Sequence, residues 1–119
     1  MGIIVWRIYE KPIPEGYRIL VDGLWPRGIQ RGNIDYWARE FAPSSELRKW
    51  FSHDPNKWDI FIKRYREELE KKPNLKDFID ILRERLENGD VIFLYASRER
   101  SFNNAVALKK IIEEIMLDH

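Results

Sequence analysis

The chain has 119 residues, 44% of them hydrophobic and 34% charged, a make-up that excludes disorder and describes one globular domain with an evenly charged surface. Its 21 Lys and Arg stand against 20 Asp and Glu, so a net charge of +1 supplies no bulk attraction for nucleic acid or an anionic membrane. Without a single cysteine, disulfides, thiolate nucleophiles and Cys-ligated zinc or iron–sulfur centres are excluded.

The apolar run within Met1–Arg7 is too short for the core of a signal peptide and has no basic segment before it. No run approaches the roughly 20 apolar residues that span a bilayer, so the expectation is a cytoplasmic protein with no membrane partner. Few methionines and charge-laced helices also suit a thermophile.

Ile3–Ile8 is β-branched and predicts the first strand, closed by the two prolines and glycine of Lys11–Gly16. Arg18–Asp22 predicts the second. The link between them is too short for a crossover helix, so the two either pair antiparallel or lie apart. Gly23–Gly32 is a loop of about ten residues, against a median of roughly 4–6. In Ile34–Phe41, Ile34, Tyr36 and Ala38 alternate with Asp35, Trp37 and Arg39, which favours a short strand over one helical turn.

Ser44 is placed as the N-cap of a helix running to Phe51. Asp54-Pro55 opens the next helix as cap and first residue, with Trp58, Phe61, Ile62, Tyr65 and Leu69 on one apolar face. Its other face offers Lys63/Glu67, Arg64/Glu68 and Glu67/Lys71 as ion pairs one turn apart. Leu75, Phe78, Ile79, Leu82 and Leu86 define a third helix, which Asn88-Gly89 would end in a left-handed cap. Val91–Tyr95 is uninterrupted by polar residues, as in a central parallel strand with helices above and below. Ala105, Leu108, Ile111, Ile112 and Ile115 mark the last helix. The order β, β, β, α, α, α, β, α predicts a three-layer α/β/α domain over residues 1–119 with a small, mostly parallel sheet of three to four strands.

Ligands in open α/β sheets bind beyond the carboxyl ends of the strands. Two loops lie there, Asp22–Gly28 and Ser97–Asn104. Set side by side, they would gather Asp22, Trp25, Arg27, Gly28, Arg98, Glu99, Arg100, Asn103 and Asn104, with the amino end of the last helix behind them. Arginines beside a helix amino end favour phosphate or carboxylate, so the expected partner is a small anionic ligand. In that reading Arg27 and Arg98 hold the anion, amides near Asn103 and Asn104 support it, Trp25 closes over it, and Asp22 orients an arginine or serves as base. His53 is the other acid–base candidate, because imidazole exchanges protons near neutral pH. Plainer roles stand beside each: Asp22 and Arg27 can pair with each other, Asn103 can be a helix cap, and Trp25 can be a lid on the core.

Other chemistries are disfavoured. The second histidine is His119, so a two-His metal motif is absent and neither metal nor cofactor is expected. Gly23 and Gly28 have the spacing of a P-loop, but Ile29-Gln30 follows where lysine and a hydroxyl are needed. Ser44-Ser45 lacks the glycines of a nucleophile elbow. Arg98, Arg100, Lys109 and Lys110 are too few, and too balanced by acids, to favour nucleic acid. The alternative from another class is an interaction module in which Trp25, Trp37 and Trp50, with arginines, form a protein or nucleic-acid surface.

Gly16–Asp22, Leu24–Gly28, Ala42–Ser44, Leu47–Phe51 with His53–Pro55, Trp58, Phe61, Tyr65, Glu68-Leu69, and Leu94–Ala96 before Asn103 together resemble the YeaO-like family of uncharacterised bacterial and archaeal proteins. The resemblance covers most of the chain. It implies a small cytoplasmic α/β domain and carries over no substrate, cofactor or catalytic residue. Two departures stand out: Gly23 occupies a position where the family pattern has arginine, and Phe102–Asn104 replaces a segment that carries histidine. The Cys-His-Arg cluster of the broader family is also missing, so no thiol role transfers.

Overall fold

Ile3–Arg7 (β1), Tyr17–Leu20 (β2), Tyr36–Trp37 (β3) and Val91–Tyr95 (β4) form one sheet in the order β1-β4-β2-β3, with every neighbouring pair parallel. The structure is a computed structural model that describes residues 2–118; Met1 and His119, and with them the second histidine, lie outside the described residues. The last strand in sequence is central in space because its five residues are all buried, and only the middle of a sheet covered on both faces accommodates such a run. β1 and β2 therefore lie apart, each flanking β4: Ile3 to Arg7 register with Val91 to Tyr95, and Tyr17 to Leu20 with Val91 to Leu94.

The two faces of β4 enter different cores. Val91, Phe93 and Tyr95 pack with Phe41, Phe61, Tyr65, Phe78 and the apolar stripe of the last helix. Ile92 and Leu94 pack with Ile8, Ile13 and Leu20, and with half-buried Trp25, Ile29, Ile34 and Trp37. The α/β class and the small parallel sheet are as the sequence predicts. The second outer cover, however, is loop: the connections after β1 and β2 bring Ile13, Trp25, Ile29 and Ile34 beneath the sheet where a helix was expected.

Helices Ser45–Phe51 (α1), Trp58–Glu70 (α2), Leu75–Asn88 (α3) and Asn104–Leu117 (α4) cover the first face. Ser44 caps α1 by accepting the Leu47 N–H at 3.1 Å, while Glu68 of α2 accepts the Ser44 N–H and hydroxyl at 2.8 and 2.6 Å. Glu68 is thus drawn away from Arg64, whose guanidinium lies 4.6 Å from the Trp50 ring centre. Among the described residues the expected pairs along α2 do not form, and Arg66 instead bridges Glu70 and Glu114 at 3.7 and 3.3 Å.

Three local expectations shift. Asp54 caps a short 3-10 turn, Pro55–Lys57, which leads into α2 rather than being its first turn. The Ile34–Phe41 segment holds both of its alternatives, a two-residue strand and a 3-10 turn at Arg39–Phe41. Gly89 ends α3 in extended backbone, with φ 163°, rather than in a left-handed cap. Among the described residues no helix is long and apolar enough to cross a membrane.

Candidate functional site

Because β2 and β4 are parallel neighbours, their carboxyl ends deliver two loops to one edge of the sheet. Between those loops and α1 lies a cavity of about 270 Å³. Asp22, Trp25, Arg27, His53 and Asn104 line it, as do Tyr9, Arg48 and Ser97. Apolar walls come from Leu24, Pro26, Ala42, Pro43, Phe51 and Phe61.

Asp22 stands two residues past the end of β2, and both carboxylate oxygens receive protein donors: the Ala96 N–H at 2.9 Å and the Asn104 amide at 3.1 Å. The same Asn104 amide reaches the Val21 carbonyl at 3.1 Å. Burial pushes the Asp22 carboxyl above its usual value, while the hydrogen bonds from Asn104 and Ala96, then Arg48 and His53, pull it back. Asp22 forms no ion pair with Arg27 among the described residues; its partners are an amide and a backbone N–H.

Arg27 is exposed on the rim. The turn that carries it runs from Pro26 to Ile29, closed by the Ile29 N–H on the Pro26 carbonyl at 3.4 Å. Gly28 takes φ 79° at its third position, where a type II turn requires positive φ. Gly28 therefore shapes the loop and is not on the cavity wall. The Tyr9 hydroxyl anchors the turn by donating to the Arg27 carbonyl at 2.8 Å.

His53 lines the cavity from the loop after α1. Ser52 and His53 both hold left-handed backbone, with φ 45° and 55°. Its Nδ1 lies 2.8 Å from the Phe102 carbonyl oxygen, and a carbonyl only accepts, so this bond assigns the proton to Nδ1 and leaves Nε2 free. Successive left-handed non-glycine residues are costly and cluster where a side chain must be held in place.

Arg98 and Asn103, like Gly28, Glu99 and Arg100, lie off the cavity wall. Arg98 is exposed and off the cavity wall. Asn103 is fully buried and satisfied: its oxygen caps α4 by accepting the Val106 N–H at 2.9 Å, and its amide donates to the Glu99 carbonyl at 2.8 Å. Trp25 donates its indole N–H to the Ile29 carbonyl at 2.8 Å and meets Trp37 edge to face at 5.3 Å. Trp37 donates to the Asp22 carbonyl at 2.8 Å, and Trp50 lies beneath the Lys57 and Arg64 cations. All five indoles are half-buried.

Arg48 and Tyr9 are wall residues that sequence reasoning missed, whereas Ser97 opens the second of the two predicted loops. Arg48 sits mid-helix, where its only signal is position: it lies three residues before Phe51, which also lines the cavity.

The family described as "Inactive DUF488-N3 subclade" matches residues 2–119. The chain belongs to this subclade. It is 35% identical over 111 residues to an uncharacterized protein of Mycobacterium tuberculosis strain H37Rv, Rv3073c, covering 91% of each chain. To the uncharacterized protein YeaO of Escherichia coli K12 it is 35% identical over 112 residues, covering 91% of this chain and 94% of that one. No solved structure matches the chain significantly. In this DUF488-N3 subclade member, the cavity at the ends of β2 and β4 brings together Asp22, Trp25, Arg27, His53 and Asn104.

Proposed function

We propose that the cavity holds a small anionic ligand, phosphate- or nucleotide-like, without transforming it. The observation that carries this reading is the convergence of Arg27, Arg48 and His53 on one cavity with apolar walls at the carboxyl edge of a parallel sheet. A volume near 270 Å³ lies just under the roughly 300–1,000 Å³ of drug-sized ligand sites, which suits a small guest. Arg27 and Arg48 supply charge-assisted donors, and free Nε2 of His53 can accept from a phosphate hydroxyl.

Holding is favoured over reaction because of what Asp22 already does. Each of its oxygens binds one of the protein's own donors, so it serves as a tie between the chain after β2, the chain after β4 and α4. The word "inactive" in the description of the subclade agrees with this. Asp22 and His53, the acid–base candidates, then position the site and line it. The interaction-module alternative draws less support, since each indole is half-buried.

A thermal-shift comparison of wild type and Arg27→Ala with inorganic phosphate, AMP and citrate tests the reading. Binding to the native state raises Tm by mass action. AMP, which carries both a phosphate and a base, should raise Tm for wild type and fail to do so for Arg27→Ala; equal AMP shifts in both proteins, or none in either, would contradict the assignment.

A further inference from the structure

A second depression, of about 590 Å³, adjoins the cavity and shares Gly23, Leu24, Ala42, Pro43 and Arg48 with it. It adds Arg39, Glu40 and Lys72, and one side of Trp37. Together the two make one trough, with these five residues, Arg48 among them, at the border of its halves. Leu24 is 65% exposed, a large apolar side chain left uncovered in the middle of the trough.

Charge separates this trough from other depressions on the molecule. Along it, Arg27, Arg39, Arg48 and Lys72 face two carboxylates, Asp22 and Glu40, and Asp22 is already engaged. The groove between α2, α3 and α4 balances Arg66, Lys76 and Arg83 against Glu70, Asp80 and Asp118. The depression at the opposite end of the sheet sets Arg85 against Asp35 and Asp90. Among these depressions the trough is the one with an excess of cations. Such a local excess between low-dielectric walls attracts anions far more than the net charge suggests.

We infer that the trough is a two-anion site for a small molecule bearing two phosphate-like groups, such as a nucleoside bisphosphate or a dinucleotide. One group sits in the cavity by Arg27 and the other among Arg39, Arg48 and Lys72, while the uncharged part between them crosses Leu24. This inference rests on the anion-holding reading of the cavity and names the ligand class for it. Joining two weak sites through one ligand makes the second contact intramolecular, which raises affinity by about 10²-fold or more when the spacing fits.

Isothermal titration calorimetry at constant low salt tests it, with AMP as the one-phosphate probe. Adenosine 3′,5′-bisphosphate and a 5′-phosphorylated deoxyadenosine dinucleotide serve as two-phosphate probes of different spacing. At least one of the latter should bind wild type at least about 10-fold more tightly than AMP. Lys72→Ala, alone and with Arg39→Ala, should remove most of that gain and leave AMP binding within about twofold, since a distant single charge acts weakly. The single variant keeps the test informative because Arg39 also stacks on Trp37, at 5.2 Å. Lys76→Ala, the same charge change in the balanced groove, should have no effect. Equal affinity for AMP and both two-phosphate probes, or an equal loss in Lys76→Ala, would overturn the second subsite while leaving the cavity reading intact. AMP binding that is absent, or unaffected by Arg27→Ala, would overturn the cavity reading and this inference with it.

Discussion

The carboxylate of Asp22 accepts the backbone N–H of Ala96 at 2.9 Å, joining the chain just after β2 to the chain just after β4 across 74 positions of sequence. Its other oxygen accepts the Asn104 amide, so one side chain fixes the relative position of both site loops and the start of α4. Asp22→Ala would leave the Asn104 amide and the half-buried Ala96 N–H without this partner. Each such loss costs about 1–3 kcal/mol, and an unfolding free energy from urea titration lowered by about 2 kcal/mol or more is the expected outcome. A change below about 0.5 kcal/mol would show that the tie is not structural.

The same group sets a pH dependence whose sign follows from its raised value. Burial makes the folded state hold the Asp22 proton more tightly than the unfolded state, for which the ordinary carboxyl value is about 3.9. Stability from this group is therefore present below that value and is lost as pH rises towards the raised value. The wild-type stability minus that of Asp22→Asn, taken from urea titrations between pH 3 and 7, should fall with increasing pH. Glu99 acts oppositely: the Ser101 and Phe102 N–H groups hold its carboxyl below the usual range, so its contribution is present above its ordinary value and is lost on acidification. Glu99→Gln should flatten the acid limb.

Gly16 opens β2 at φ 150°, and a β-carbon there would stand 2.6 Å from the Asp90 carbonyl oxygen, which itself accepts the Tyr17 N–H. Gly16→Ala must push the start of β2 away from β4. It is expected to cost about 1–3 kcal/mol, read as a lowered denaturation midpoint. Gly23→Ala differs, because its β-carbon would meet only the Ala42 β-carbon at 3.5 Å and its φ lies outside the left-handed range that strains a side chain. That variant should keep or gain about 0.4–1 kcal/mol of stability.

Strain at the end of α1 gives a third comparison. Ser52→Gly relieves one left-handed residue and should stabilise by roughly 1 kcal/mol. His53→Gly relieves the other but loses the bond to the Phe102 carbonyl, so its stability should change little while AMP binding weakens. Loss of stability without loss of binding would make His53 a purely structural residue.

Much of the fold was legible because hydrophobic period carries it. The buried run Val91–Tyr95 identified the central strand, and the spacing of Trp58, Phe61, Tyr65 and Leu69 identified α2. What periodicity could not reveal was long-range: that loops rather than a helix cover Ile92 and Leu94, and that Glu68 binds Ser44 instead of Arg64. The site was half legible for the same reason. Asp22, Arg27 and Asn104 meet because they follow parallel neighbouring strands, a rule of topology. Arg48 and Tyr9 enter from elements whose approach depends on packing. Asn103 and Asn104 are adjacent in sequence, yet one caps the helix and the other faces the cavity, a distinction set by the first helical turn alone.

The central claim is that an anion sits in the cavity at the ends of β2 and β4. A ¹H–¹⁵N correlation spectrum of the labelled protein titrated with AMP tests it most directly. Saturable amide shifts concentrated at residues 22–28, 48–54 and 96–104, and lost in Arg27→Ala, are the expected result. Shifts that are absent, fail to saturate, or cluster on the outer faces of α2 and α3 would contradict it.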